Sequence, residues 1–295
     1  MPHIERILCP IDFSEFSVPA YDYALSLARH YQAGLFVQHV VELWKYPSAD
    51  YASAEQFGEF CRKLLSDGSK QLEEFVKTHA RSEVQPQCVV QQGGLAPDFI
   101  LAFAEKHKID LIVMGTHGRR GFDRWALGSV TERVLRKARR PVLAVHRPAH
   151  CVATSEKPAG PIPLRRILCC IDFSNCSARA LEYAVSAVKE YNAELIVLHV
   201  IEDIPNSRDP GKTIEHAQVR LAKSVPAETY QQCRIKSLVR SGKPYEQIIL
   251  VASEAEIDLV IMGVRGRNAL DLALFGSTTY RVIQLGPCPV LAVHV

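Results

Sequence analysis

The chain alternates short uninterrupted apolar runs with stretches in which apolar residues recur every three or four positions. Ile7 to Ile11 is one such run, bounded by Asp12 and Ser14, and Leu35 to Val41 is another, rich in β-branched residues. Both read as strands buried on two faces. Between them Ala20, Ala24, Leu27, Ala28 and Tyr31 follow helical spacing, giving a βαβ unit. The pattern then predicts a strand over Val84 to Val90, a helix over Pro97 to His107 opened by its proline, and a strand over Leu111 to Met114. A helix over Ser129 to Ala138 and a strand over Val142 to Val145 follow. Alternation of this kind implies a five-stranded parallel sheet with helices on both faces, a doubly wound α/β fold with strand order 3-2-1-4-5.

The pattern occurs twice. Arg6-Ile7-Leu8-Cys9-Pro10-Ile11-Asp12-Phe13-Ser14 returns as Arg166-Ile167-Leu168-Cys169-Cys170-Ile171-Asp172-Phe173-Ser174, an offset of 160 between Asp12 and Asp172. The same register pairs Ala20, Tyr23, Ala24, Tyr31, His39 and Val40 with Ala180, Tyr183, Ala184, Tyr191, His199 and Val200. Further along, Ile109-Asp110-Leu111 matches Ile257-Asp258-Leu259, and the Pro141 to His146 segment matches Pro289 to His294, now at an offset of 148. The second copy is therefore 12 residues shorter in its middle, with strands expected near 167 to 171, 195 to 200, 235 to 239, 259 to 262 and 290 to 293. Two tandem domains are expected, over 1–147 and 164–295. The proline- and glycine-bearing segment 148–163, with Pro148, Pro158, Gly160, Pro161 and Pro163, is the linker. The last strand of each copy would lie at a sheet edge that needs cover, so Val142 to Val145 is expected to pair with Val290 to Val293. That pairing would make a pseudo-dimer within one chain and leave room for a homodimer.

At 295 residues with 47% hydrophobic and 23% charged positions, the chain can bury a large core, which excludes a disordered protein. The net charge of +3, from 35 Lys and Arg against 32 Asp and Glu, is too balanced to imply a nucleic-acid or membrane-surface partner. No apolar run reaches the roughly 20 residues needed to cross a bilayer, and the first five residues carry no signal-peptide pattern, so a cytoplasmic protein is expected. Nine cysteines with no CxxC pair argue against a disulfide framework or a zinc site.

The candidate chemistry lies where strands end. The fourth strand runs into Gly115-Thr116-His117-Gly118, and nine residues later Gly128-Ser129 opens a helix; Gly263-Val264-Arg265-Gly266 and Gly276-Ser277 repeat the spacing. Glycine permits close backbone approach, and the first amides of a helix have no intrahelical partner and sit at the positive end of its dipole. Gly128-Ser129-Val130-Thr131 and Gly276-Ser277-Thr278-Thr279 are therefore candidate phosphate seats. Asp12 ends the first strand, which in the expected order neighbours the fourth across the point where the winding reverses. There a carboxylate could accept hydrogen bonds from a base amine or sugar hydroxyls. The simpler reading is that each glycine turns the chain and each Asp caps the following helix.

These residues carry a resemblance. Pro10-Ile11-Asp12-Phe13-Ser14, the run Met114-Gly115-Thr116-His117-Gly118-Arg119, and Leu127-Gly128-Ser129-Val130-Thr131-Glu132 through Pro141 to Val145 resemble the universal stress protein family. The resemblance covers both copies and implies a tandem member with the Rossmann-like, adenine nucleotide alpha hydrolase-like fold and the G-x2-G-x9-G-(S/T) pattern of ATP-binding members. It implies that Asp12 and Val40 hold adenine, that Pro10, Ile11, Met114 and Gly115 line the base and ribose, and that His117, Gly118, Gly128, Ser129, Val130 and Thr131 bind phosphates. The second copy offers Asp172, Val200, Met262, Gly263, Arg265, Gly266, Gly276, Ser277, Thr278 and Thr279, with Cys170, Arg265 and Thr278 replacing Pro10, His117 and Val130. The implied ligand is ATP, or ADP or AMP, with Mg2+ on the phosphates.

Other signals weigh less. Pro210-Gly211-Lys212-Thr213 resembles the end of a P-loop, but Asn206 stands where its first glycine belongs, so the segment is expected to be a surface loop. No GxGxxG is present. Arg133, Arg136, Lys137, Arg139 and Arg140 crowd a helix end, where cations complement the dipole, and read as a solvated face rather than a nucleic-acid patch. His39 and His199 read as crevice-edge histidines with a backbone partner. Trp44, Tyr46, Tyr51, Phe57 and Phe60 form either a lid or contact surface over the first site or an inserted loop and helix packing its own aromatics. Adjacent Cys169 and Cys170 are read as core filling.

Three functions compete. The leading one is an ATP-binding regulatory protein of the stress response. The second is a slow ATPase, slow because no P-loop lysine or poised base is present. The third is a scaffold or non-nucleotide binder using the exposed aromatics of 43 to 60.

Overall fold

The computed structural model describes residues 4–47, 51, 53–80, 84–116, 127–146, 162–202, 210–264 and 276–294. In the first copy, β1 (Arg6–Pro10), α1 (Ser17–Tyr31), β2 (Gly34–Glu42), a 3-10 turn (Leu43–Lys45), α2 (Ala54–Thr78), β3 (Gln87–Gly93), α3 (Ala96–Lys106), β4 (Leu111–Gly115), α4 (Ser129–Lys137) and β5 (Val142–Val145) follow one another. The second copy comprises β6 (Arg166–Cys170), α5 (Asn175–Tyr191), β7 (Glu194–Ile201), α6 (Pro210–Ser224), α7 (Ala227–Gln232), β8 (Arg234–Ser241), α8 (Pro244–Glu254), β9 (Leu259–Gly263), α9 (Ser277–Leu285) and β10 (Val290–Val293). Of the linker expected over 148–163, all but Ile162 and Pro163 lie outside the described residues.

The ten strands form one sheet, in the order β3-β2-β1-β4-β5-β10-β9-β6-β7-β8. Every neighbouring pair is parallel except β5 and β10, which run antiparallel with Leu143 opposite Leu291. Alternation along each central strand feeds two cores. Ile7, Cys9, Leu111, Val113, Leu143 and Val145 face the α1 and α5 layer, while Leu8, Ile112, Met114, Val142 and Ala144 face α3, α4, α8 and α9. Pairing β5 with β10 gives each strand's amides and carbonyls a partner, so the outer edges are β3 and β8. Both are polar: Gln87, Gln91 and Gln92 in one, Arg234, Lys236 and Arg240 in the other.

The duplication extends to the backbone. Among the described residues, the non-glycine residues with positive φ fall into three repeat-related pairs: Phe13 with Phe173, Gln32 with Asn192, and Lys108 with Glu256. Gln32 and Asn192 are left-handed caps that end α1 and α5, receiving the chain that turns into the next strand.

Two expectations need correction. The third strand lies over Gln87–Gly93 rather than Val84 to Val90, because ladder pairing with β2 continues past the apolar run, with Gln91 opposite Val40 and Gly93 opposite Glu42. There the buried Gln38 amide donates to Gln91 Oε1 at 2.6 Å, so a strand can end on polar residues. Pro210-Gly211-Lys212-Thr213 is the opening of α6 rather than a surface loop, with Pro210 at the first helical position that tolerates proline.

Candidate functional site

A cavity of about 830 Å3 opens at the carboxyl ends of β1, β2 and β4, roofed by the start of α3 and by the first turn of α4. It falls within the roughly 300–1,000 Å3 usual for small-molecule sites. Pro10, Ile11, Asp12, Val40, Met114, Gly115, Gly128, Ser129, Val130 and Thr131 all line it. His117 and Gly118 lie outside the described residues, as do Arg265 and Gly266 of the second copy.

Asp12 is held rigidly. Its Oδ1 accepts from the Ser14 amide at 3.0 Å, the Ser14 hydroxyl at 2.6 Å and the Ser17 hydroxyl at 2.7 Å. The carboxylate thus ties the chain leaving β1 to the first turn of α1, a turn-forming role expected of an Asx residue. The following Phe13 adopts φ +61, a backbone region a bulky side chain rarely enters, and its ring lies 4.4 Å from that of His39. His39 Nδ1 in turn donates to the Ile11 carbonyl at 2.8 Å, the backbone partner expected for this histidine. The second copy repeats the arrangement: Asp172 Oδ1 accepts from Ser174 N and Oγ, Phe173 has φ +63, and His199 Nδ1 donates to Ile171 O at 2.7 Å.

The glycine segment closes on itself at the other side. The Thr116 amide donates to Val145 O, the Gly128 amide to Thr116 O at 2.8 Å, and the buried Thr131 hydroxyl to Gly115 O at 2.7 Å. Gly128 caps α4 without a side chain, and the first intrahelical bond is Glu132 N to Gly128 O. The amides of Ser129, Val130 and Thr131 precede that bond, at the positive end of the helix. In the second copy Gly276 N donates to Val264 O and Thr279 Oγ1 to Gly263 O, so Gly263, Gly276, Ser277, Thr278 and Thr279 form the same capped turn. Asp172, Val200 and Met262 sit at the corresponding ends of β6, β7 and β9.

Packing accounts for part of the glycine pattern. A Cβ on Gly115 would lie 2.7 Å from the Phe16 carbonyl oxygen, and one on Gly263 would lie 2.8 Å from Cys176 Cβ. These strand-end glycines let α1 and α5 approach β4 and β9, so backbone approach to a ligand is not their sole use.

Several cavity residues escaped the motif. Glu42 Oε1 accepts from the Ala96 amide at 2.9 Å, acting as a remote cap for α3, while the same carboxylate pairs with Lys45 and bonds the Trp44 indole N–H. Burial alone would raise its pKa, but these donors prevail and hold it below the usual carboxylate range. Trp44, Lys45 and Tyr46 line the cavity mouth, whereas Tyr51, Phe57 and Phe60 pack against one another. The aromatic segment therefore divides between the two roles expected of it. Arg133, read as part of a solvated cationic helix end, lines the cavity as well and pairs with Asp98 at 3.3 Å; Arg136 and Lys137 pair with Glu132 and Asp98. Trp44 and Tyr46 were among the aromatics weighed as a lid; for Glu42 and Lys45 the only signal in the sequence is their place at and just after the end of β2.

The second copy differs on this side. At the positions of Pro97 and Asp98 stand Tyr245 and Glu246, and Arg281, the counterpart of Arg133, has its guanidinium 4.7 Å over the Tyr245 ring, whose hydroxyl donates to Glu246 at 2.8 Å. Cys9, Cys169 and Cys170 are buried, and desolvation raises each thiol's pKa, which suits core filling.

Two doubly wound α/β units, the first with a cavity at the strand ends where the winding reverses, define a fold class and not by themselves a function. The universal stress protein family model matches residues 3–146 and 163–294, and the chain belongs to that family. A universal stress protein of Mycolicibacterium smegmatis is 25% identical over 299 residues, covering 98% of this chain and 96% of its own. Universal stress protein MJ0531 of Methanocaldococcus jannaschii is 34% identical over 144 residues, 49% of this chain and 83% of its own length. The crystal structure of a universal stress protein from Archaeoglobus fulgidus superposes with a TM-score of 0.70 at 24% identity, covering 98% of this chain and 96% of that one. Among the described residues no helix is long and apolar enough to cross a membrane.

Proposed function

We propose that this chain is an adenine-nucleotide-binding regulatory protein of the stress response, with its principal site in the first copy. The observation that carries the reading is the convergence of ten candidate residues from β1, β2, β4 and α4 on one cavity of about 830 Å3. The base lies at the Asp12 and Val40 end and the phosphates at Ser129, Val130 and Thr131, with His117 and Gly118 assigned to the phosphates from the sequence motif alone. Fit to the ligand is supported by amides at the start of α4, capped by a glycine whose lack of a side chain leaves them accessible. ATP, ADP and AMP all meet these requirements, and Mg2+ enters as the phosphates' counter-ion. Asp172, Val200, Met262, Gly263, Arg265, Gly266, Gly276, Ser277, Thr278 and Thr279 make a second site, weaker because Tyr245, with Arg281 stacked on its ring, stands where the first has the smaller Pro97 in its wall.

Hydrolysis, where it occurs, is slow: Oδ1 of Asp12 is committed to two serines, so this carboxylate is not a poised base. The β5–β10 pairing supports the reading of the chain as an internal pseudo-dimer, and the location proposed for it is the cytoplasm. Mass spectrometry of small molecules released on heat denaturation, followed by calorimetry with ATP, ADP and AMP, tests the proposal. A nucleotide in the supernatant and saturable binding abolished by Gly118→Val support it; an empty protein that binds none of the three overturns it. Turnover well above about one per minute, the range of unassisted GTPases, that vanished in His117→Ala would favour an enzyme instead.

A further inference from the structure

Seven large apolar side chains are exposed among the described residues, and three of them, Trp44, Tyr46 and Leu95, meet at the mouth of one cavity. Trp44 is 54% exposed, the most of the seven. A tryptophan standing this far into solvent costs free energy that scales with its apolar area, and clustering with two more is the pattern of a contact surface.

Its position is imposed. The chain leaving β2 forms the 3-10 turn Leu43–Lys45, closed by Tyr46 N donating to Leu43 O at 2.9 Å. Glu42 bonds the Trp44 indole N–H and pairs with Lys45 while its other oxygen caps α3 through Ala96, so one carboxylate joins the turn to the cavity roof. Lys45 Nζ lies 5.6 Å from the indole centroid, and the Tyr46 ring leans edge-on against Phe60 of α2 at 5.3 Å. Glu42 and Lys45 thus hold the indole at the cavity that it lines.

The topology says which part of a ligand it meets. β1 separates β2 from β4, and a strand spacing of about 4.8 Å puts the chain leaving β2 about 10 Å from the chain leaving β4. The α4 amides follow β4, so Trp44 stands at the far end of the cavity from them, on the side of Val40 and α3. An elongated guest with its anionic end on α4 presents its other end to the indole.

We infer that Trp44 is a specificity-determining contact that stacks on the nucleotide base, with Glu42 positioning it; this rests on the nucleotide reading above. A planar base offers the π-face that an exposed indole lacks, and a saturated ligand of equal charge does not. Both tryptophans of the chain, Trp44 and Trp125, lie in the first copy, so the contact belongs to the first site.

The test is calorimetry with AMP, ADP and ATP on the wild type, Trp44→Ala and Trp44→Phe, with circular dichroism confirming the fold. Stacking of this kind predicts an affinity loss of about 5- to 150-fold in Trp44→Ala, by the same factor for all three nucleotides, and a smaller loss in Trp44→Phe. In a Trp125→Phe background, where Trp44 is the sole tryptophan, saturating ADP should quench its emission. Wild-type binding with Trp44→Ala affinities within twofold, or a loss that grows with phosphate number, overturns this inference and leaves the nucleotide reading intact. A wild type that binds none of the three overturns both.

Discussion

Replacing Gly115 with alanine separates the two uses of a strand-end glycine. A Cβ there would sit 2.7 Å from the Phe16 carbonyl oxygen and 3.2 Å from its carbonyl carbon, about 0.7 Å inside ordinary contact distance. The obstacle is backbone at the entrance to α1, and that turn is tied through the Ser17 hydroxyl to Asp12, so α1 must shift from β4 as a unit. Overpacking of this kind costs about 1–3 kcal/mol, which for a protein of this size lowers Tm by roughly 2–5 °C. Gly94→Ala is the control, because a Cβ there meets nothing within 4 Å; it should be neutral or stabilise by up to about 1 kcal/mol through the unfolded chain. Urea unfolding followed by circular dichroism measures both variants. Should Gly115→Ala unfold within about 0.5 kcal/mol of wild type while losing nucleotide affinity, the packing argument is wrong and the glycine serves the ligand alone.

Three further outcomes are expected. Thr131→Val keeps the side-chain volume but strips the Gly115 carbonyl of its 2.7 Å donor, so unfolding should become easier by about 1–3 kcal/mol, with Thr279→Val acting likewise on Gly263; chemical denaturation reads both. His294 Nε2 donates to Leu135 O in α4 at 2.8 Å and His146 Nε2 to Ile283 O in α9, so each copy holds the other's site helix near its end. His294→Ala or His146→Ala should each cost about 0.5–1.5 kcal/mol in calorimetric unfolding. Glu42 has a depressed pKa in the folded protein, so its contribution is full above the ordinary carboxylate value and fades as pH falls through the lower folded value. The stability gap between wild type and Glu42→Gln should therefore be present at pH 7 and shrink in strong acid, as an acid titration of both proteins would show.

Much of the fold was legible because the strands of a doubly wound sheet are buried on both faces and must be apolar throughout, which makes runs such as Leu111 to Met114 and Val142 to Val145 stand out. The strand β3 was displaced in the reading because its pairing with β2 rests on backbone bonds and on a Gln38–Gln91 side-chain bond that hydrophobicity does not report. The helix α6 escapes the pattern for a related reason: its apolar stripe is sparse, with Leu221 fully buried among mostly polar neighbours.

The candidate site divides along the same line. Asp12, Gly115 and the Gly128 to Thr131 turn were readable because their spacing recurs 160 or 148 residues later, and repeated spacing records a local backbone shape. Trp44, Glu42, Leu95 and Arg133 belong to the cavity through contacts between segments far apart in the chain, such as the 54 residues separating Glu42 from Ala96. Local chain order thus determined the repeated elements and the glycine-capped turn at the start of α4, since those depend on neighbours in sequence. Which side chains enclose the cavity, and which glycines are spent on helix approach, was decided by tertiary packing, because distances across the sheet are set by the strand order and by no single segment.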